Sequence, residues 1–341
     1  MLDPTPNRPA RGYTIALASA AILSTTAIFI RHLTRSFGMP ALVLAFWRDL
    51  FACLALVPAL ALLRPALLRV QRRHLPLLAG SGLVLALFNA TWTLSVAWNG
   101  AAVATVLVYS SGAFTALLGW RLLGERLGPA KLLAVVLSLG GCMLVSGALA
   151  PLKSALTSAG IAAGVLSGLC YAGYSLVGRS AAQRGLSPWT TLLFTFSFAT
   201  LLLLAVNLLP WPKLPGAALR PAELLWLGRS AEGWAVLVLL AVGPTIAGFG
   251  LYNVSLAHLP ASVVNLIVTL EPVFTAALAF VLLGERWGFA EVAGSCAILL
   301  GVAVLRIFGE KVAGTSRIRV PGQALPGSRA IPTRKRNPWQ H

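Results

Sequence analysis

The chain predicts an all-α integral membrane protein: ten transmembrane helices, built as two five-helix repeats of opposite topology. Three observations lead there. Of 341 residues, 57% are hydrophobic and 11% charged, a balance that cannot cover an ordinary soluble surface. Ten apolar runs follow one another, at 14–34, 40–63, 75–97, 101–123, 130–149, 156–178, 188–210, 233–257, 261–283 and 290–307. A hydrocarbon core about 30 Å thick takes roughly 20 helical residues to cross, and most of these runs approach that length. Finally, one stretch occurs twice without a gap, 160 residues apart: Ala101 to Gly128 matches Ala261 to Gly288.

The first run follows a polar, proline-rich segment, Met1 to Gly12, and has no small-residue cleavage site after it, so it is expected to remain as a spanning helix. The second run carries Arg48-Asp49 about eight residues beyond Pro40, roughly 12 Å along a helix. Charges at that depth need partners. Arg48 either balances a charge in the centre of the bundle or pairs with Asp49, and a structural role is the expected one.

The third and fourth runs are separated only by Trp98 to Gly100, and the eighth and ninth by His258 to Pro260, as in tight antiparallel hairpins. The sixth run places Ser167, Tyr171 and Tyr174 on one helical face, an aromatic polar stripe that either lines a cavity or packs between neighbours. Between the seventh and eighth runs lies the longest connection, 211–232, in which Ala222 to Leu227 is expected as a short interfacial helix. Trp98, Trp120, Trp189 and Trp287 sit near run ends and are expected as interfacial anchors.

The ninth run holds Glu271-Pro272, ten residues in from Ala261 and therefore near the midplane. A carboxylate at a helix centre costs about 2.5–3.5 kcal/mol on insertion scales, and such residues face a bundle interior or a wet cavity. Pro272 donates no backbone hydrogen bond, which frees a carbonyl near Val268 beside the carboxylate. Glu271 is thus the leading candidate for a substrate contact or a proton-carrying group, against a reading as a permanently bonded structural carboxylate. Thr275 shares its face, and the repeat puts Ser111 and Thr115 at the matching positions of the fourth run. Tyr109 and Asn265 lie at similar depth, and Trp92 and Tyr252 are related by the repeat. Each of these is a candidate substrate contact, weighed against hydroxyls that merely bond their own helix.

Both copies end on Leu-Gly-Glu-Arg. Glu125 and Glu285 are expected to act as structural caps at the start of the helix that follows each of them. Gly141 and Gly301, paired by the repeat, suit close helix contact or a homodimer.

Charge sets the orientation. The formal net charge of +18 sits in the gaps between runs and in the tails, with no basic face or aromatic interleaving, so it marks a lipid bilayer rather than nucleic acid. With the N-terminus inside, nineteen Lys and Arg fall on the inner side and seven on the outer, or nine against seven without the tails. Both termini are therefore expected in the cytoplasm. The repeated runs are five crossings apart, so the copies traverse the membrane in opposite directions, the inverted design of many secondary transporters. The expected organisation is a cytoplasmic segment (1–13), two repeats (14–150 and 151–308) and a disordered basic tail (309–341).

These residues resemble the drug/metabolite transporter superfamily, specifically its EamA-type ten-helix members. The resemblance is carried by Glu271-Pro272-Val273-Phe274, the Leu-Gly-Glu-Arg ends at 123–126 and 283–286, Arg48, and Tyr171-Ala172-Gly173-Tyr174, and covers roughly 14–307. It implies export or import of small metabolites or drugs through a central cavity, commonly without ATP hydrolysis. Members often carry a proline where this chain has Gly112.

A small-molecule carrier is therefore set against a non-transporting scaffold or receptor, which lacks a sizeable soluble domain, and an intramembrane lipid-modifying enzyme. No HExxH or P-loop occurs, and His32, His74, His258 and His341 are scattered, so no cofactor, metal or catalytic residue is expected. Cys53, Cys142, Cys170 and Cys296 each lie alone in an apolar run and are expected to pack. Arg-rich composition with short loops suits a bacterial inner membrane.

Overall fold

A computed structural model describes residues 8–99, 101–145, 157–208, 214–218, 220–283 and 288–313. All regular structure among them is helical: α1 (Arg8–Leu23), α2 (Thr26–Ser36), α3 (Ala41–Leu63), α4 (Leu75–Asn99), α5 (Ala101–Tyr109), α6 (Ser111–Leu123), α7 (Pro129–Val145), α8 (Ser158–Gln183), α9 (Pro188–Leu208), α10 (Ala231–Leu240), α11 (Phe249–His258), α12 (Ala261–Val268), α13 (Glu271–Leu283) and α14 (Phe289–Ala313). Eight helical spans are long and apolar enough to cross a membrane, and Pro129–Val145 and Val292–Ile307 are apolar but shorter. Glu285 with its neighbours Gly284, Arg286 and Trp287, and most of the basic tail, lie outside the described residues. The last helix continues to Ala313, beyond the expected end of its run, because Glu310-Lys311 and Ala313 are good helix formers.

Three spans are broken in mid-membrane. The first breaks at Ser24-Thr25, the fourth at Ser110 and the ninth at Thr269-Leu270. At each break a hydroxyl bonds a carbonyl three residues back: Ser24 Oγ on Ala21 (2.7 Å), Thr25 Oγ1 on Ile22 (2.7 Å), Ser110 Oγ on Leu107 (2.5 Å) and Thr269 Oγ1 on Leu266 (2.6 Å), the last three supplementing long amide bonds of 3.2–3.3 Å to the same carbonyls. In hydrocarbon an unsatisfied carbonyl costs several kcal/mol, so these bonds help the chain tolerate a break. They do not cause it, since Ser167 makes the same bond inside the unbroken α8. Pro272 accounts for the ninth span. The fourth breaks at the repeat-related position with no proline, and Gly112 there lets α6 approach Leu266, whose Cδ2 would lie 3.3 Å from an added Cβ.

The eighth span widens into a π-helical stretch, Ala241–Gly248, around Pro244, where Thr245 Oγ1 reaches back to the Leu240 carbonyl at 2.9 Å. The expected interfacial helix at 222–227 is instead a short 3-10 turn, Pro221–Leu225. It is tied down rather than floating: Trp47 Nε1 donates to the Leu224 carbonyl (2.6 Å), Trp226 Nε1 to that of Phe37 (2.9 Å), and Leu227 is buried.

The two halves of the chain interleave. α7 packs along α14, α4 lies against α8 and α9, α3 against α9, α1 against α11, and α6 against α12. Glycines set the closest approaches. Gly160, Gly164 and Gly168 present one face of α8 to α4 and α5, where added Cβ atoms would fall 2.4–2.6 Å from Asn99, Leu107, Ser95 or Ser110. Gly141 and Gly294 meet reciprocally, each 2.6 Å from the other's carbonyl oxygen when given a Cβ, and Gly301 rests on α7 near Ala134 and Ser138. Gly141 and Gly301 are therefore occupied within one chain, in the α7–α14 contact, and are not free for a homodimer. Trp189 packs the six-membered part of its ring over Gly250.

Candidate functional site

Glu271 is the first residue of α13, so its carboxylate sits at the positive end of a half-helix that begins in mid-membrane. It is half-buried, and the Tyr109 side chain, from the last turn of α5, lies close to its carboxylate. Both residues flank the repeat-related breaks, so the two discontinuities face each other here. The second turn of α13 also meets the break in the first span, where Thr275 Oγ1 donates to the Ser24 carbonyl at 3.1 Å.

Beside this pair runs a chain of polar side chains from four elements. Ser111 Oγ donates to Asn265 Oδ1 (3.0 Å), Asn265 Nδ2 donates to Ser175 Oγ (3.1 Å), and Ser175 Oγ lies 2.6 Å from the Tyr252 hydroxyl. Tyr174 accepts from Asn253 Nδ2 at 2.7 Å. The rings form one group: Tyr171 stacks on Phe88 (5.4 Å between centroids), Tyr252 (5.9 Å) and Tyr174 (6.4 Å), and Phe249 meets Tyr174 edge-on (5.9 Å). Ser111, Asn265, Ser175, Tyr174 and Tyr252 are all essentially inaccessible.

The structure thus brings together seven of the ten residues singled out as substrate contacts: Glu271, Tyr109, Ser111, Asn265, Tyr171, Tyr174 and Tyr252. Thr275 touches the neighbouring break, Thr115 bonds only its own helix at the Ser111 carbonyl (2.6 Å), and Trp92 is half-buried against the core. Ser175 and Asn253 were missed, although Ser175 follows Tyr171 at i+4 and Asn253 is a lone amide in an apolar run. Asn265→Ala is expected to strand buried hydroxyls and to lower stability by about 1–3 kcal/mol. Thermal unfolding in detergent should show the loss, with Thr115→Val changing far less.

Arg48 and Asp49 lie apart from this centre. Arg48 Nε donates to Asp49 Oδ1 at 3.1 Å within α3, and Nη2 to Asn89 Oδ1 of α4 at 3.3 Å, while Asp49 Oδ2 and Asn89 Nδ2 are buried without a partner among the described residues. Glu125 does not cap the helix that follows it. Gly124, at φ +66°, turns the chain so that the carboxylate reaches the other repeat: it accepts from the Ala261 amide (2.6 Å), the Ser262 amide (3.3 Å) and the Ser262 hydroxyl. Among the described residues no group of three or more His, Cys, Asp or Glu could hold a metal ion.

A family model described as the EamA-like transporter family matches residues 10–147 and 158–307, one match over each half. The chain belongs to the EamA-like transporter family. Within its reach, an uncharacterized transporter of Synechocystis is 28% identical over 66% of this chain and 65% of its own length, just under two thirds of that relative. An uncharacterized transporter of Pseudomonas aeruginosa is 26% identical over 86% of this chain and 92% of its own. A probable terminal-alkyne amino-acid exporter of Streptantibioticus cattleyicolor is 39% identical, but over only 18% of this chain and 22% of its own. One crystal structure superposes on 89% of this chain and 99% of its own with a TM-score of 0.71 at 18% identity, a likeness of fold. This EamA-like chain is accordingly a multi-pass membrane protein whose relatives are named transporters.

Proposed function

We propose that the protein is a secondary carrier that moves a small metabolite or drug by alternating access, with Glu271 as its central ionisable group and protons as the coupling ion. One observation carries the reading: a carboxylate heads a half-helix at a break in the middle of a span and lies beside the residue that ends the matching half-helix of the other repeat. Half-helix ends at a repeat interface are where carriers hold substrate and ions. Among the described residues no basic side chain pairs with Glu271, which leaves the carboxylate available to a proton or to a polar solute. The finer organisation belongs to the same reading: ten spanning helices in two inverted repeats, both termini cytoplasmic, in a bacterial inner membrane. In that orientation Glu125 lies at the inner end.

Purified protein in liposomes with a trapped pH indicator tests this. Amino acids, nucleosides, sugars and cationic drugs are added singly. At least one should move protons across protein-containing vesicles and not across empty ones, and a silent response to every solute class contradicts the reading.

A further inference from the structure

We infer that Glu125, Lys131 and Ser262 form a gate that holds the inner end of the bundle shut and must part for transport. This rests on the carrier reading above. The three residues join the repeats across that end. Glu125 and Lys131 lie on either side of the turn between α6 and α7, and Ser262 is in the first turn of α12. Lys131 Nζ donates to Ser262 Oγ at 2.8 Å and stands 3.5 Å from Glu125 Oε2, with both charged side chains about nine-tenths buried. Arg179, bonded to the Leu256 carbonyl at 2.7 Å, lies within electrostatic reach of the same carboxylate. Gly119 makes room: a Cβ there would fall 2.9 Å from Glu125 Oε2.

The repeat shows that this clamp is more than a helix cap. Its carboxylate occurs in both copies, as Glu125 and Glu285, but its other side-chain parts are present only once. At 160 residues' offset, Lys131 is matched by Glu291, Ser262 by Ala102 and Gly119 by Ala279. The room, the opposite charge and the hydroxyl are all absent from the sequence at the opposite end, where two carboxylates replace a carboxylate and an amine. The packing carries the same asymmetry. α6 lies closely along α12 at the Glu125 end, while the backbones of α5 and α13, the pair related by the repeat, do not pack closely among the described residues. Two nearly equivalent ends, one with a complete clamp, bias a two-state carrier toward the state closed at that end. Parting the repeats leaves Glu125 and Lys131 together but takes from them the Ala261 and Ser262 partners, charge-assisted bonds that favour the closed state.

Two spin-label pairs on the full chain in nanodiscs test the gate, with Cys296, the exposed native cysteine, replaced by serine. One pair, Leu122 and Ala257, spans the inner end, and the other, Trp98 and Phe289, the outer end. Lys131→Met should lengthen the inner distance and shorten the outer one, with the population ratio moving about fivefold or more. The combined Ala102→Ser and Glu291→Lys protein, which supplies the missing hydroxyl and amine at the outer end and leaves the inner clamp intact, should also shorten the outer distance. It keeps the inference testable if Lys131→Met folds poorly. An inner distance that broadens while the outer pair stays fixed in both proteins reduces the cluster to a cap and overturns the gate. Reciprocal movement in a protein that carries no solute sinks the carrier reading instead.

Discussion

Glu271→Gln is expected to lower coupled solute flux by roughly tenfold or more, the consequence of losing about 1.4 kcal/mol of differential interaction with the transported species. The substitution keeps the shape of the side chain and a polar oxygen beside Tyr109, so the break between α12 and α13 and its neighbours stay in place. Expression and melting temperature should therefore match the parent. What glutamine removes is the charge and the exchangeable proton, so flux and proton movement should fall together. A variant with full flux and unchanged proton movement would assign Glu271 to structure alone.

The largest effect on folding is expected at Gly141. Valine there drives its Cβ to 2.6 Å from the Gly294 carbonyl oxygen and 2.6 Å from Ile298 Cγ1, and one of these contacts is backbone that cannot swing away. Overpacking of this kind costs about 3 kcal/mol, and the α7–α14 contact is the most extensive in the bundle. Gly141→Val should give little monodisperse protein on size exclusion. Its neighbour is the control: Gly140 has nothing within 4 Å of an added Cβ, so Gly140→Ala should be neutral or slightly stabilising. Equal behaviour of the two variants would mean that α7 and α14 are not held this way in the membrane.

Much of this centre was legible in the sequence because its signals are local or repeated. A carboxylate before a proline in a long apolar run marks a break, and the gapless repeat points from Glu271 to Ser111 and from Tyr252 to Trp92. The helix-six stripe gave Tyr171 and Tyr174, and its continuation to Ser175 was available. What could not be read depends on which distant residues meet. Serine is common inside unbroken membrane helices, as Ser167 shows, so Ser110 does not announce a break. Glu125 sits between two helices of its own repeat, and nothing local says that its carboxylate turns instead to Ala261 and Ser262. A glycine at 141 signals a close approach without naming its partner, so a contact within the chain and a dimer look alike until Gly294 is placed opposite it.

The measurement that bears most directly on Glu271 as the ligand-responsive centre is thermal stabilisation of the solubilised protein by amino acids, nucleosides, sugars and cationic drugs, at about pH 5.5 and 7.5, beside Glu271→Gln. A ligand that binds the native state raises its melting temperature, by the equivalent of about 2.7 kcal/mol at a hundredfold excess over its Kd. The account predicts a stabilising compound whose effect changes with pH in the parent and is lost in the variant. Stabilisation of equal size in both proteins, or a folded parent that responds to no solute class, would contradict it.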